Sequence, residues 1–146
     1  MKVSMKGDYG VRALIELARH FGEGPVQSAL IAARQSIPEP YLDQLLTSLR
    51  RAGIIRSVRG PQGGHALIRD PHDLKLSEAV IALEGSLAPI SCLDDPAGCP
   101  KSTHCSLHDV WDEVHRATMQ ILDRITIADL AEKEKEREAG IPRYAI

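Results

Sequence analysis

The chain has 146 residues, 43% of them hydrophobic and 26% charged, with aromatics at only 3%; this suits one small globular domain with an appendage, its core packed from the aliphatic side chains of helices rather than built as a β-sandwich. The formal charge of -2 is unevenly spread: residues 1–75 hold 11 Lys/Arg against 7 Asp/Glu and residues 76–146 hold 7 against 13, so the front half suits phosphate and the rear half a protein or regulatory contact. No apolar run approaches the roughly 20 residues that span a bilayer, and the opening Met-Lys-Val-Ser-Met-Lys-Gly lacks the apolar stretch of a signal peptide, so a cytoplasmic protein is expected.

In chain order, Tyr9, Ala13, Leu14, Leu17, Ala18 and Phe21 recur at helical spacing before Gly22, predicting a first helix from about Asp8, which can cap it, to Phe21. A short second helix is expected over Ser28–Arg34, broken by Ser-Ile-Pro-Glu-Pro at 36–40. Pro40 fits the first turn of a third helix, in which Leu42, Leu45, Leu46 and Leu49 form an apolar stripe and Asp43, Gln44, Thr47, Arg50 and Arg51 lie off it. Strands over 54–58 and 65–68 flank Arg-Gly-Pro-Gln-Gly-Gly, a hairpin signal, and a fourth helix is expected from Ser77 to Glu84. After a Pro- and Gly-punctuated loop, a long helix begins near Ser106, with Leu107, Trp111, Val114, Thr118, Ile121 and Ile125 in a coiled-coil seam about 28 Å long. Thr126 and Asp129 form a capping box for a short last helix through Leu130, followed by a charge run expected to fray.

The expected fold is mainly α with a small β-hairpin wing. A winged helix-turn-helix over 1–85 is followed by a cysteine-containing sensor loop over 86–105, a dimerisation helix with a short terminal helix over 106–132, and a disordered tail over 133–146.

In such a domain the third helix enters the major groove with its N-terminal part foremost. Pro38, Glu39, Tyr41, Asp43 and Gln44 occupy that part; Gln44 can pair with adenine and the carboxylates can accept from cytosine N4, each good contact contributing about 1–3 kcal/mol of base discrimination. Arg50, Arg51, Arg56 and Ser57 suit phosphate, and Arg59 with Gly60 at the wing tip suits a narrow minor groove. The Gly-rich turn lacks the Gly-Lys-Ser/Thr ending of a phosphate loop and opens no helix, and there is no nucleophile elbow, paired carboxylate site or dinucleotide fingerprint, so an enzyme is not expected.

Cys92, Cys99, Cys105 and His108 follow the pattern Cys-x6-Cys-x5-Cys-x2-His. Thiolates suit iron-sulfur clusters and zinc alike, and the wide gaps fit a cluster better than the tight knuckles of structural zinc sites. Free thiols acting as a redox sensor are the alternative, and a disulfide would leave one Cys over. His104 and His115 are expected at the surface.

The strings 6–11, 38–46 and 49–64, the stretch from Ser57 to Gly64 above all, resemble the Rrf2 family of winged-helix regulators over residues 2 to about 130. That resemblance implies a dimeric repressor or activator on a pseudo-palindromic DNA operator and, in the family's cluster-binding members, an iron-sulfur cluster held by three cysteines of this loop. In one branch a His at the spacing of His108 completes a [2Fe-2S] site; in a nitric-oxide-sensing branch an acidic residue near the partner's N-terminus, matched by Asp8, completes a [4Fe-4S] site. Three departures stand out: Gln62 replaces a common Gly, His65 stands where Tyr is usual, and the first cysteine gap is six residues rather than five. Zinc, or no cofactor, is the alternative to a cluster.

Overall fold

The computed structural model describes residues 2–101 and 104–140. Six helices and one hairpin follow in order: α1 (Met5–Arg19), α2 (Ser28–Gln35), α3 (Glu39–Arg51), β1 (Ile55–Val58), β2 (Gly64–Leu67), α4 (Leu76–Glu84), α5 (Ser106–Asp123) and α6 (Ile127–Ala139).

The predicted helix face of α3 is the floor of the core: Leu42, Leu45, Leu46 and Leu49 are all buried, against Ala13, Leu14 and Leu17 of α1 and Ile31 of α2. Ser36, with φ 55, is the left-handed residue that ends α2, and Pro38 in extended conformation opens α3. The two positions set the turn between the helices.

The hairpin pairs Ile55 with Leu67 and Val58 with Gly64. It does not stand alone: Val26 and His65 exchange both backbone hydrogen bonds at 2.8 Å, so Val26, two residues before α2, forms a third rung beside β2. Gly64 makes this approach feasible. Its φ is 149, and a Cβ there would overlap the Val26 carbonyl. Gly64→Val is therefore expected to destabilise the protein by about 2–4 kcal/mol through strain and overpacking, and to release the Val26 and His65 amides to hydrogen exchange; unchanged protection of both amides would refute the brace.

Four boundaries depart from expectation by two residues or more. The first helix starts at Met5, capped by Ser4, whose Oγ accepts from the Gly7 amide, whereas Asp8 lies inside its first turn in an ion pair with Arg12 (3.0 Å). Glu84 of α4 selects Ser4, since its Oε1 accepts from the Ser4 amide (2.9 Å) and hydroxyl (2.5 Å). Phe21 lies beyond the helix and is exposed. The expected seam stops at Ile121, because α5 ends at Asp123 and the carbonyl of Ile125 turns to accept from Leu76 (2.8 Å).

The Thr126–Asp129 capping box is present, but α6 runs to Ala139, so the disordered tail expected from 133 is helical through Ala139; 141–146 lie outside the described residues. Its charges have partners across the fold: Arg19 of α1 donates to Glu134 (3.2 Å) and to Glu138 (2.7 and 2.8 Å). These bonds hold the Glu138 carboxyl below the usual range. Ile127 and Ala131 are buried beside α1, which joins the C-terminal helix to the core of the DNA-binding part.

Candidate nucleic-acid interface and cysteine loop

The leucine stripe of α3 faces inward, so the opposite face is presented to solvent: Glu39, Pro40, Asp43, Gln44, Arg50 and Arg51 are exposed, and the N-cap Pro38 is exposed beside them. Tyr41 is placed differently from its neighbours. Its half-buried ring meets Tyr9 of α1 edge-on at 5.7 Å, which ties the start of α3 to α1.

On the wing, Arg56, Ser57, Arg59 and Gly60 are exposed. Arg50 Nη1 donates to Ser57 Oγ (3.3 Å), linking α3 to β1, and Gln27 Nε2 donates to the Pro61 carbonyl (3.2 Å), linking the start of α2 to the wing tip. Arg50, Ser57, Arg59 and the polar positions of α3 thus belong to one assembly whose parts are fixed to one another. Sequence reasoning missed Ser28 and Gln27, and it singled out His65 only as an unusual residue. The ring of His65 is hydrogen-bonded on both sides: Nε2 to Ser28 Oγ and Nδ1 to Ser57 Oγ, each 3.0 Å. Burial, then the charge of Arg50, pushes its pKa down.

The cysteine loop leaves α4 and returns at α5. Cys92 lies in a short 3-10 turn (Ser91–Leu93), Cys99 follows a second one (Pro96–Gly98), Cys105 is the N-cap of α5, and His108 is in its first turn. All three cysteines are half-buried free thiols. The donor set of thiols and imidazole suits a cluster or zinc, and Cys105 and His108 sit at the N-terminal end of α5 with Cys92 and Cys99 in the loop leading to it, but no group of three or more His, Cys, Asp or Glu is gathered to hold a metal ion among the described residues. His108 lies 3.8 Å from Asp109, and Asp8 keeps its pair with Arg12. His115, expected at the surface, is half-buried, with Nδ1 buried and lacking a partner among the described residues.

The long helix α5 has no buried residue. Leu107 is 59% exposed, Val114 42% and Ile121 48%, so an apolar stripe runs along it. Its base is anchored: Ser77 of α4 donates to Asp123, and the Leu74–Leu76 segment exchanges backbone bonds with Ile125 and Ile127. No helix among the described residues is long and apolar enough to cross a membrane.

A helix-turn-helix whose second helix is exposed along its polar face, followed by a hairpin wing bonded to both of its helices, defines a winged-helix DNA-binding transcriptional regulator. The chain belongs to the Rrf2 family, whose model, described as an iron-dependent transcriptional regulator, matches residues 3–133. It is 36% identical to the HTH-type transcriptional regulator CymR of Bacillus subtilis over 140 residues, covering 95% of this chain and 96% of that one. It is 37% identical to the HTH-type transcriptional regulator IscR of Aliivibrio salmonicida over 130 residues, covering 89% and 77%. Among solved structures it is similar to T. potens IscR, with 42% identity, a TM-score of 0.75 and coverage of 98% and 93%. It is also similar to CymR (YrzC), the global cysteine regulator of B. subtilis, with 34% identity, a TM-score of 0.76 and coverage of 91% and 98%.

Proposed function

We propose that the protein acts as a homodimer on a pseudo-palindromic operator, with a sensor centre at Cys92, Cys99 and Cys105 that sets its affinity for DNA. The observation that carries this reading is the course of the cysteine loop: it leads through Cys92 and Cys99 to Cys105, the N-cap of α5, and His108 in its first turn, and α5 is a long helix whose apolar stripe is exposed among the described residues. Two chains joined along α5 bring two α3 helices to successive turns of a duplex. There Pro38, Glu39, Asp43 and Gln44 face base edges and Arg50, Arg51, Arg56 and Ser57 face phosphates, with Arg59 and Gly60 at the minor groove; Tyr41 supports the helix from behind.

The favoured occupant of the loop is an iron-sulfur cluster, [2Fe-2S] if His108 is the fourth ligand or [4Fe-4S] if Asp8 of the partner subunit is. A bound cluster supplies a redox- and nitric-oxide-reactive group. The chain's own part is mechanical. The loop must close to gather its thiols, and because α5 is tied at its base to α4 through Ser77 and Asp123, a shift at its mouth reaches the winged domain. A cluster-free reading, with zinc or reactive thiols in the loop, gains weight from the similarity to CymR, named as a cysteine regulator, and from the ungathered thiols.

Anaerobic purification of the wild type, His108→Ala, Asp8→Ala and the triple Cys92, Cys99, Cys105→Ser variant, with iron and sulfide analysis, separates these. The wild type is expected to be brown and the triple variant colourless, and operator affinity at fixed salt is expected to differ between holo and apo protein by about 5–150-fold. A colourless, zinc-loaded wild type would sink the cluster, and equal affinities would sink the sensor while leaving DNA binding standing.

A further inference from the structure

His65 stands where α2, α3 and the wing meet, and its two ring nitrogens contact hydroxyls from different elements: Ser28 at the start of α2 and Ser57 on β1, with Ser57 also accepting from Arg50 of α3. A neutral imidazole carries one ring proton, so one nitrogen donates and the other accepts. Whichever tautomer forms, one of the two serines spends its only hydroxyl proton on the ring. An imidazolium donates from both nitrogens, and both serine hydroxyls are then free to donate outward, that of Ser57 beside the Arg50 guanidinium.

A phosphodiester oxygen is an acceptor and carries negative charge. It is matched by the protonated arrangement, which offers two hydroxyl donors and an added positive charge beside Arg50, and poorly by the neutral one. We propose that Ser28, Ser57, His65 and Arg50 form a binding site for a DNA backbone phosphate, and that engaging the phosphate takes up a proton at His65. The proposal rests on the reading that α3 and the wing face the duplex.

The charged groups that act on the ring are Arg50 and Asp43 of α3; Arg56 of β1 and His20, the C-cap of α1, line a hollow with His65, and α2 contributes only a hydroxyl. In the free protein burial and Arg50 hold the ring toward its neutral form, and Asp43 opposes them. A phosphate reverses the balance and raises the pKa in the complex. A group whose pKa rises on binding strengthens binding at low pH, and the gain is lost as pH rises through the bound-state pKa.

The test uses a fluorescent duplex of roughly 30 bp, enriched by the wild type from a randomised pool and titrated at constant ionic strength from pH 5.5 to 8.0. Wild-type affinity is expected to fall about 3–10-fold between pH 6 and 8, and the His65 ring resonance is expected to titrate at higher pH in the complex than in the free protein. His65→Gln retains a donor and an acceptor but does not titrate; its affinity is expected to stay within about twofold over the same range. A flat wild-type profile overturns the proposal. So does a His65→Gln profile as steep as the wild type's, which would leave the ring a structural tie alone. If no duplex is enriched even at low salt, both the proposal and the DNA-facing reading fail, whereas enrichment with a flat profile removes only the phosphate site.

Discussion

Ile121→Asp is expected to turn a dimer into a monomer at low micromolar concentration and to lower operator affinity by about 100-fold or more, the avidity lost when two linked sites become one. Ile121 is 48% exposed near the C-terminal end of α5, in line with Leu107, Trp111 and Val114, and α5 runs for 18 residues without burying a side chain in its own chain. In a two-fold interface every substitution occurs twice, so two unpaired carboxylates would be placed in the seam, and each would have to be desolvated or left to hold the helices apart. Trp111→Ala removes contact area without introducing charge and is expected to weaken association less. Sedimentation analysis measures the first outcome and titration of an operator duplex at fixed salt the second. A variant that remains a dimer at low concentration would place the interface elsewhere, and the α5 stripe would then need another cover.

Where one element's pattern contained the whole cause, the structure could be read from the sequence. The leucines of α3 recur on one face, and burying that face fixes which residues point outward, so Asp43, Gln44, Arg50 and Arg51 could be named as the solvent-facing side before any coordinate. The wing announced itself through glycines and a proline. Tyr41 lies in the same stretch of α3, yet its ring has an apolar body that packs on Tyr9, a choice made by another helix.

The features that escaped depend on partners far along the chain. Ser4 and Asp8 are equally good caps in isolation, and Glu84, 80 residues away from Ser4, decides between them. The run from Lys133 to Glu138 reads as a solvated end, and Arg19, 115 residues from Glu134, turns it into a docked helix. The cysteine spacing displays the donors, but it does not encode the loop conformation, and among the described residues they are not gathered. His65 was visible as a departure from the family pattern, while its two serines, 37 and 8 residues away, were not.

Glu16→Ala is expected to lower stability by about 3 kcal/mol, or roughly 10 °C in melting temperature for a chain of this length, at fixed protein concentration. Glu16 is fully buried in α1, and its two carboxylate oxygens are shared among three donors: Arg34 Nε at 3.1 Å, Gln35 Nε2 at 3.2 Å and His20 Nε2 at 2.9 Å. Gln35 is itself buried and also donates to Glu134, so the carboxylate joins α1 to the end of α2, and through Gln35 to α6. Removing it leaves the Gln35 amide short of an acceptor in an apolar setting, whereas Arg34, 42% exposed on its side chain, can turn to water. The loss should therefore come mainly from Gln35 and from the cavity. Glu16→Gln retains the volume and one acceptor but sets an amide donor against the surrounding donors, and is expected to lose about half as much. If the network is closed, Glu16→Ala combined with Gln35→Ala will fall short of the sum of the single losses by about 1 kcal/mol or more. Strict additivity, or a Glu16→Ala variant that melts within about 2 °C of the wild type, would mean that α2 is held by the apolar packing of its Ile31 in the core with Leu14 of α1 alone, and that the buried carboxylate adds nothing to the placement of the helix-turn-helix.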